Sequence, residues 1–429
     1  MQPAAHAPSW YAASANPHAP FPSLEGDRRC DVLVVGAGFT GLSAALHLAE
    51  RGYDVTVLEA NRVGWGASGR NGGQIVTGFN RTVGEIAGWV GREDARKLWD
   101  MNEESKALLA DRVARHNIDC DLRWGYVLAA MKRRHILDLR GMLAEMETLG
   151  YGQARYLNRG EVQRLVACEE YVGGLLDSGS GQLHPLNYAL GLAEAARQAG
   201  AHIFEGAKVT RLEDGATPTA VTERGRVTAD HVILAANAYL DPIHPEADRL
   251  ARSRIMPVGT YMIATEPLGE ERALKLIPGD MAVADINFVL NYYRLSRDRR
   301  MLFGGGVAYS AMTPPAMDRR LHRTMARFFP DLKDARIDYC WGGNVAITIN
   351  RTPHFGRIAP NIYFAQGYSG HGVALTGLAG KLMAEAVAGT AERFDVFSRI
   401  PHQPFPGGRL LRMPALVLAM SWYRLRDML

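Results

Sequence analysis

Three glycines at fixed spacing lie near the start of the chain, in the stretch Gly36-Ala-Gly38-Phe39-Thr40-Gly41. In such a pattern one glycine makes a tight turn, another lets the backbone approach a pyrophosphate, and the third lets the following helix pack close to a strand. The start of that helix offers unpaired N–H groups and a partial positive charge to phosphates. The residues predicted to bind the phosphates of a nucleotide cofactor are therefore Gly36, Gly38, Phe39, Thr40 and Gly41.

An acidic residue, Glu59, ends the next short apolar run, and Ala60 follows it. A carboxylate in this place accepts hydrogen bonds from ribose hydroxyls and repels a 2′-phosphate, which disfavours NADP. We predict that Glu59 and Ala60 contact the nucleotide. The glycines and the acid alone leave both NAD and FAD open.

A second glycine-rich stretch, residues 64–74, has five glycines in eleven residues. A backbone of this composition is irregular and can lie flat against a ligand; the alternative is a surface turn. Its polar side chains are donors suited to a pyrophosphate and to the polar edge of a flavin. The members predicted to contact the cofactor are Ala67, Ser68, Arg70, Asn71, Gly72, Gly73 and Gln74.

The elements that must position these residues form a βαβ unit. Residues 31–35 are an apolar run typical of a strand buried on both faces. After the glycines, apolar residues recur at helical spacing up to Ala49, Gly52 offers a C-terminal cap, and residues 54–58 form a second strand. Strand, helix, second strand and acid thus follow in the order that a dinucleotide site requires.

The composition excludes several other classes of protein. The chain has 429 residues, 47% hydrophobic and 22% charged, which is enough for two folded domains. The net charge of +4 is spread along the chain without a long basic run, so no nucleic-acid partner is expected. The 13 histidines show no HExxH spacing and the four cysteines lie far apart, so we predict no metal site and reduced thiols of a cytosolic protein.

The glycine pattern, then Glu59, then the stretch from Gly66 to Gln74 (GASGRNGGQ) resembles the FAD-dependent amine and D-amino acid oxidoreductases. This is the family of sarcosine oxidase, glycine oxidase and D-amino acid dehydrogenase. The similarity covers nearly the whole chain, and within the family it is greatest to the gamma-glutamylputrescine oxidoreductases of bacterial putrescine breakdown. The resemblance identifies the cofactor as FAD.

The resemblance implies an α/β fold with a Rossmann-like FAD-binding domain of the D-amino acid oxidase and glutathione reductase type. This domain is interleaved with an α+β substrate domain that carries an antiparallel sheet. The ranges expected for the FAD-binding domain are 27–80, 181–250 and 339–395, and those for the substrate domain are 81–180 and 251–338. The family also implies that the backbone at Val209 meets the adenine and that Ala236 lies near the cofactor.

Two C-terminal segments, residues 341–348 and 363–373, resemble those with which the family closes over the flavin. The second runs from a strand into an apolar helix, whose first N–H groups can face the pyrimidine side of a reduced flavin. His371 is the one titratable residue that these segments place near the ring, and we predict an electrostatic or orienting catalytic role for it. The predicted cofactor contacts here are Gly343, Gly370, His371, Gly372, Val373 and Thr376.

Four positions depart from the family pattern. Val345 stands where sarcosine oxidases attach the flavin to a cysteine, so we predict non-covalent FAD. Val76 and Ala374 stand where those enzymes bind the substrate carboxylate with an arginine and a lysine, and a carboxylate buried there would be unpaired. An amine whose carboxylate is remote therefore fits better than an α-amino acid. A lysine that assists the reaction with oxygen is replaced near Leu302, which leaves the rate of oxygen use open.

The implied reaction takes two electrons from a C–NH₂ carbon. The neutral amine gives hydride to the flavin, an imine forms, and water hydrolyses it to an aldehyde and ammonia. We expect oxidation of gamma-glutamylputrescine or a related gamma-glutamylated polyamine, with oxygen as acceptor and hydrogen peroxide as product. The alternatives are a D-amino acid or other amine dehydrogenase that passes electrons to quinone, and a non-catalytic protein that only holds a flavin.

Strand-like runs at 261–265, 291–295 and 301–304 are consistent with an antiparallel sheet above the flavin. Tyr292, Tyr293 and Arg294 lie on one such run, and strand alternation lets only some of them face the substrate. We take Tyr293 and Arg294 as the candidate substrate contacts. Placement in the core or on the surface is the alternative for each.

Both ends of the chain carry predictions of their own. Residues 1–26 lack the pattern of a secretory signal and are expected to form an extended arm on a cytoplasmic protein. Residues 405–429 are expected to form an amphipathic helix, too short at its apolar run to span a bilayer. That helix packs either on the protein or a second subunit, as in a homo-oligomer, or on a membrane surface through its flanking arginines.

Overall fold

The structure, a computed structural model, describes residues 4–287, 289–308 and 315–406. The predicted C-terminal helix at 405–429 lies almost wholly outside the described residues. Among the helices in the described ranges, none is long and apolar enough to cross a membrane.

The strands in the described part of the chain are β1 Arg28–Val35, β2 Val55–Leu58, β3 Gln74–Ile75, β4 Arg123–Ala130, β5 Ala154–Asn158, β6 Gly173–Gln182, β7 His202–Phe204, β8 Arg211–Glu213, β9 Thr219–Val221, β10 Arg226–Leu234, β11 Met256–Thr265, β12 Ala282–Asp285, β13 Tyr292–Leu295, β14 Met301–Ala308, β15 Ile337–Ile347, β16 His354–Ala359 and β17 Ile362–Gln366. The α-helices are α1 Trp10–Ala13, α2 Phe39–Ala49, α3 Val83–Val90, α4 Arg92–Arg115, α5 Arg133–Thr148, α6 Arg159–Leu165, α7 Pro185–Gln198, α8 Glu270–Leu276, α9 Met317–Phe328, α10 Gly372–Val387 and α11 Glu392–Ser398.

The first sheet has eight strands and carries the predicted βαβ unit. Its main order is β16-β17-β10-β1-β2-β7, with β8 and β9 attached beside β10. The pairs β17/β10, β10/β1, β1/β2 and β2/β7 are parallel. Residues 32–34 of β1 are wholly buried, as expected for a central parallel strand that is covered on both faces.

The second sheet has nine strands in the order β15-β11-β14-β13-β12-β4-β6-β3, with β5 beside β6. Its pairs are antiparallel except β12 with β4, which is parallel. The fold is therefore the predicted α/β arrangement of a Rossmann-like layer interleaved with a mainly antiparallel sheet.

The segments are divided between the two layers differently from the predicted ranges. Strand β15 belongs to the second sheet, although residues 339–347 were assigned to the cofactor domain. Helices α3 and α4 lie in the range assigned to the substrate domain, yet α4 packs on α10 of the first layer and also contacts α2 through the pair Arg112–Glu50. Apolar periodicity identifies a helix but not the layer on which it packs.

The N-terminal arm also departs from expectation, since it is not simply extended. Ser9 caps the short helix α1 through its side chain, which accepts a hydrogen bond from the Ala12 N–H. Trp10 and Tyr11 are buried against the body of the protein. The arm is thus an integral part of the fold.

Candidate cofactor and substrate site

Two helices begin at the same edge of the first sheet. Helix α2 follows β1 and α10 follows β17, and both strands run parallel to β10, which lies between them. The N-cap residues, Gly38 and His371, make no side-chain capping hydrogen bond. Both helix starts therefore present backbone N–H groups to whatever lies at this edge.

Glycine is required where these helices pack closely. A Cβ atom on Gly41 would lie 1.9 Å from the carbonyl oxygen of Gly36. On α10, a Cβ atom on Gly380 would lie 2.5 Å from the backbone nitrogen of Ala44 in α2. The hydroxyl groups of Thr40 and Tyr368 hydrogen-bond at 2.8 Å and join the two helix starts. The predicted roles of the first glycine stretch in turn formation and close packing are thus visible as contacts.

Glu59 lies at the end of β2, beside the turn that leads into α2. Its carboxylate accepts hydrogen bonds from the N–H of Ala37 at 2.8 Å and of Asn61 at 2.9 Å. Burial raises the pKa of Glu59, and these backbone donors oppose that shift. Ala60, next to it, is exposed. The carboxylate is fixed by the backbone at the mouth of the βαβ turn.

Val209 and Ala236 are the two other residues expected near the cofactor. Ala236 follows β10, and its backbone nitrogen would lie 3.3 Å from a Cβ atom on Gly36. Val209 is buried in the same core cluster as Leu58, and two residues before it the N–H of Ala207 donates to the carbonyl of Glu59. Both residues therefore belong to the same edge of the sheet as the glycine turn.

The glycine-rich loop 64–74 is shaped largely by its own side chains. Arg70 Nε donates to the Trp65 carbonyl at 2.9 Å, Asn71 Nδ2 donates to the Ala67 carbonyl at 2.9 Å, and Gln74 Nε2 donates to Val283 at 3.0 Å. These bonds occupy donors of all three side chains and give them a role in shaping the loop, while their contact with the cofactor stays a prediction. Ser68 links the loop to helix α2, because its hydroxyl accepts a hydrogen bond from the N–H of Phe39 at the start of that helix. Ala67, Gly72 and Gly73 can contribute only through the backbone.

Strand β15 closes over this loop. The indole N–H of Trp341 donates to the Arg70 carbonyl at 3.1 Å. A Cβ atom on Gly343 would lie 2.7 Å from Arg70 Cδ, which explains the glycine at that position. The Tyr239 hydroxyl accepts the N–H of Asn344 at 3.2 Å. The sequence reading missed Trp341 and Tyr239 as structural partners of the loop, and no local pattern marks them.

The predicted residues around the start of α10 lie together. Gly370 is exposed, whereas Val373 and Thr376 are buried, and Gly372 opens the helix. The Thr376 hydroxyl donates to the Gly372 carbonyl at 2.7 Å, so it serves its own helix. His371 is half-buried; burial, and then the positive charge of Arg351, lower its pKa to about 4. The imidazole is therefore neutral at physiological pH, and it can orient a ligand but not neutralise an anion.

The two predicted substrate contacts need correction. Tyr293 is fully buried on the α9 side of the sheet, stacks on Phe303, and hydrogen-bonds the hydroxyl of Tyr171 at 2.7 Å. Arg294 faces the first layer but is 1% exposed, and its guanidinium donates to the carbonyls of Gly72 and Leu183. Neither side chain has surface left for a substrate.

The neighbouring Tyr292 is placed differently, with its ring against Gly72 of the glycine-rich loop. A Cβ atom on Gly72 or Gly304 would come within 2.8 or 2.2 Å of its ring, so the ring fits between two glycines. It belongs to a small patch that we call the apolar strip, formed by Val76, Tyr126, Leu128, Ala282, Ala284 and Tyr292. Alternation separates Tyr292 from Tyr293, but it does not tell which of them faces inward.

The fold and site define a flavoprotein class. The family model for FAD-dependent oxidoreductases of the DAO type matches residues 31–386, and the chain belongs to this family. It is an FAD-dependent oxidoreductase. Two helix starts whose N-cap residues make no side-chain capping bond, and a fixed carboxylate, lie at one sheet edge and fit the phosphates, the flavin and the ribose of FAD.

Individual relatives are similar over the full length. The chain is 47% identical to the gamma-glutamylputrescine oxidoreductase of Escherichia coli, over 99% of each chain. It is 42% identical to the probable oxidoreductase OrdL of Haemophilus influenzae, over 98% of this chain and 97% of that protein. The crystal structure of glycine oxidase from Geobacillus kaustophilus has the same fold, with a TM-score of 0.72 and 23% identity over 84% of this chain and 95% of that one.

Proposed function

We propose that this enzyme oxidises the primary amine of gamma-glutamylputrescine, or of a related gamma-glutamylated polyamine, to an aldehyde. The amine loses two electrons and two hydrogens to become an imine, and water converts the imine to the aldehyde and ammonia. Bound FAD supplies the electron acceptor for this step. Oxygen then takes the electrons and is reduced to hydrogen peroxide.

The observation that carries the proposal is that Val76 and Ala374 are apolar. They occupy the two positions at which the carboxylate of an α-amino acid would need a cationic partner. Val76 belongs to the apolar strip, and Ala374 is 5% exposed within α10. A buried carboxylate without a partner costs several kcal/mol. A four-carbon chain buries its methylene groups against such a surface at a gain of ~0.8 kcal/mol each. The name of the relative that is 47% identical agrees with this chemistry.

Within this proposal, the chain's own residues bind and orient. Tyr126, Tyr292 and Val76 would hold the methylene chain and exclude water, which also favours the neutral amine that must donate hydride. His371 would orient the reacting groups as a neutral imidazole. No side chain is needed to remove a proton from carbon.

The test is anaerobic mixing of the FAD-loaded protein with gamma-glutamylputrescine, putrescine, spermidine, sarcosine and D-alanine, with flavin absorbance as the readout. Gamma-glutamylputrescine should reduce the flavin fastest. Fastest reduction by sarcosine or D-alanine would overturn the proposal. Peroxide formed in air without an added acceptor supports oxygen as the acceptor, and its absence during turnover with a quinone contradicts it.

A variant pair tests the apolar strip. Val76→Asn places a polar group in the strip and should raise KM for gamma-glutamylputrescine about tenfold, the effect of ~1.4 kcal/mol. The matched control is Thr77→Val, one residue further on, whose hydroxyl bonds Tyr151 and Ser180 instead. It should lower stability and leave KM unchanged. Equal effects of the two variants on KM would show that the strip does not select the substrate.

A further inference from the structure

The N-terminal arm, residues 4–26, runs along the cofactor loop and then across the boundary between the two layers. The indole N–H of Trp65 donates to the Ala5 carbonyl at 2.9 Å, and His6 Nε2 contacts the Val63 carbonyl at 2.9 Å. Further on, Asn16 Nδ2 donates to Asp119, and the Pro22 carbonyl accepts the N–H of Glu205. The arm is therefore anchored at both ends by hydrogen bonds.

Tyr11 is the point at which the arm enters the interior. Its side chain is fully buried, with ring centroids 5.0 Å from His184 and 5.3 Å from Trp341 in edge-on contacts. Its hydroxyl accepts a hydrogen bond from Arg294 Nη2 at 3.3 Å. Because its side chain is completely buried, Tyr11 packs at a specific site in the interior and does not merely touch the surface.

Arg294 links Tyr11 to the cofactor loop. Its Nε donates to the Gly72 carbonyl at 3.0 Å and its Nη2 to the Leu183 carbonyl at 2.9 Å, while the Leu183 N–H donates to Gly73 at 2.8 Å. Among the described residues no carboxylate pairs with this guanidinium. A buried cation that is held only by neutral oxygens depends on all of them, because each lost acceptor leaves charge unsatisfied.

Tyr11 also contacts the cofactor loop indirectly, through Trp341. The Tyr11 ring packs against the Trp341 ring, whose N–H donates to the carbonyl of Arg70. Tyr11 thus contacts two side chains from outside the loop that bind its carbonyls, Trp341 at Arg70 and Arg294 at Gly72.

We propose that the N-terminal arm is a brace for FAD binding, in which Tyr11 acts as a positioning residue through Arg294 and Trp341. The arm fixes two carbonyls of loop 64–74 and thereby the shape in which the loop meets the cofactor. Losing Tyr11 frees the loop and speeds the release of FAD. The inference concerns cofactor retention and does not depend on which amine is oxidised.

The test measures the rate of FAD release after dilution of the holoenzyme, followed by the rise of flavin fluorescence. Tyr11→Phe keeps the ring but removes the acceptor for Arg294, and should speed release about tenfold, the size of one hydrogen bond to a charged group. Tyr11→Ala also removes the packing on Trp341 and should speed release more. Trp341→Phe removes the donor to Arg70 and should act in the same direction.

The control is Leu24→Ala, which truncates another buried residue of the arm, 3% exposed, that packs in a core cluster without loop residues. It should lower the thermal unfolding temperature but leave the release rate unchanged. Equal release from the wild type and Tyr11→Phe would overturn the proposal. So would an acceleration by Leu24→Ala as large as that by Tyr11→Phe, because the arm would then act only through general stability.

Discussion

At the scale of single residues, the same side-chain type serves very different ends, depending on its neighbours. Arg294 is a residue type that often binds carboxylates. Here its guanidinium instead donates hydrogen bonds to backbone carbonyls and to the Tyr11 hydroxyl. Tyr293 has a hydroxyl that could meet a substrate, yet it bonds Tyr171 in the core. A chemically suitable side chain is therefore weak evidence for a substrate contact. The glycines predict the site better, because each one marks a place where the backbone packs closely.

Gly41→Ala should disrupt the cofactor turn. Its new methyl group would lie 1.9 Å from the Gly36 carbonyl oxygen, so helix α2 must move away from β1. We expect a loss of about 1–3 kcal/mol in the free energy of unfolding and loss of bound FAD. Urea unfolding and the flavin absorbance of the purified protein measure the two effects.

Gly141→Ala is the matched control, because Gly141 is an exposed residue of helix α5 with nothing within 4 Å of the added Cβ atom. It should raise stability by roughly 0.5–1 kcal/mol and leave FAD bound. A Gly41→Ala variant that retains FAD at wild-type stability would contradict the role assigned to the close packing.

At the scale of elements, the sequence predicts those whose signals are local. The strands around the glycine turn, helix α2 and the glycine-bounded start of α10 all follow from periodicity and capping residues. The partner of an element is not a local property. Strand β15 and helix α4 therefore pack in a layer that their predicted domain does not indicate, and no local pattern predicts the burial of Tyr11.

The contact between α2 and α10 is an element-scale feature that can be tested in one helix. Gly380→Ala places a Cβ atom 2.5 Å from the Ala44 nitrogen and should force the two helices apart, at a cost of about 1–3 kcal/mol in unfolding free energy. Because both helix starts lie at the proposed FAD site, weaker FAD binding should accompany this loss.

The control, Gly377→Ala, changes the same helix one turn earlier, where nothing lies within 4 Å of the added atom. Helix propensity then predicts unchanged or slightly higher stability. If urea titrations and FAD retention gave the same result for both variants, the packing of α10 on α2 would not be what holds the helix starts together.

At the scale of the whole molecule, segments distant in sequence are tied by buried polar contacts. Arg112 on α4 binds the carboxylate of Glu50 and donates to Nε2 of His47 on α2 at 2.9 Å. The other ring nitrogen of His47 donates to the Ser43 carbonyl. This arrangement requires a neutral His47, since a protonated ring would face the guanidinium.

Acidification should therefore weaken the whole fold through His47. Burial, and then the charge of Arg112, lower the pKa of His47 to about 4, whereas an unfolded histidine titrates near 6.5. Between these values the unfolded chain binds the proton and the folded chain does not, so the free energy of unfolding falls as pH falls through this window. The contribution of His47 to the loss of unfolding free energy between pH 7 and pH 5 is about 2 kcal/mol.

Urea unfolding of the wild type and of His47→Gln at both pH values, with FAD held at one saturating concentration, measures this contribution. The His18→Gln variant, which replaces an exposed histidine, serves as the control for the substitution itself. A pH dependence of His47→Gln as steep as that of the wild type would show that the contact between α2 and α4 does not depend on the charge of this ring.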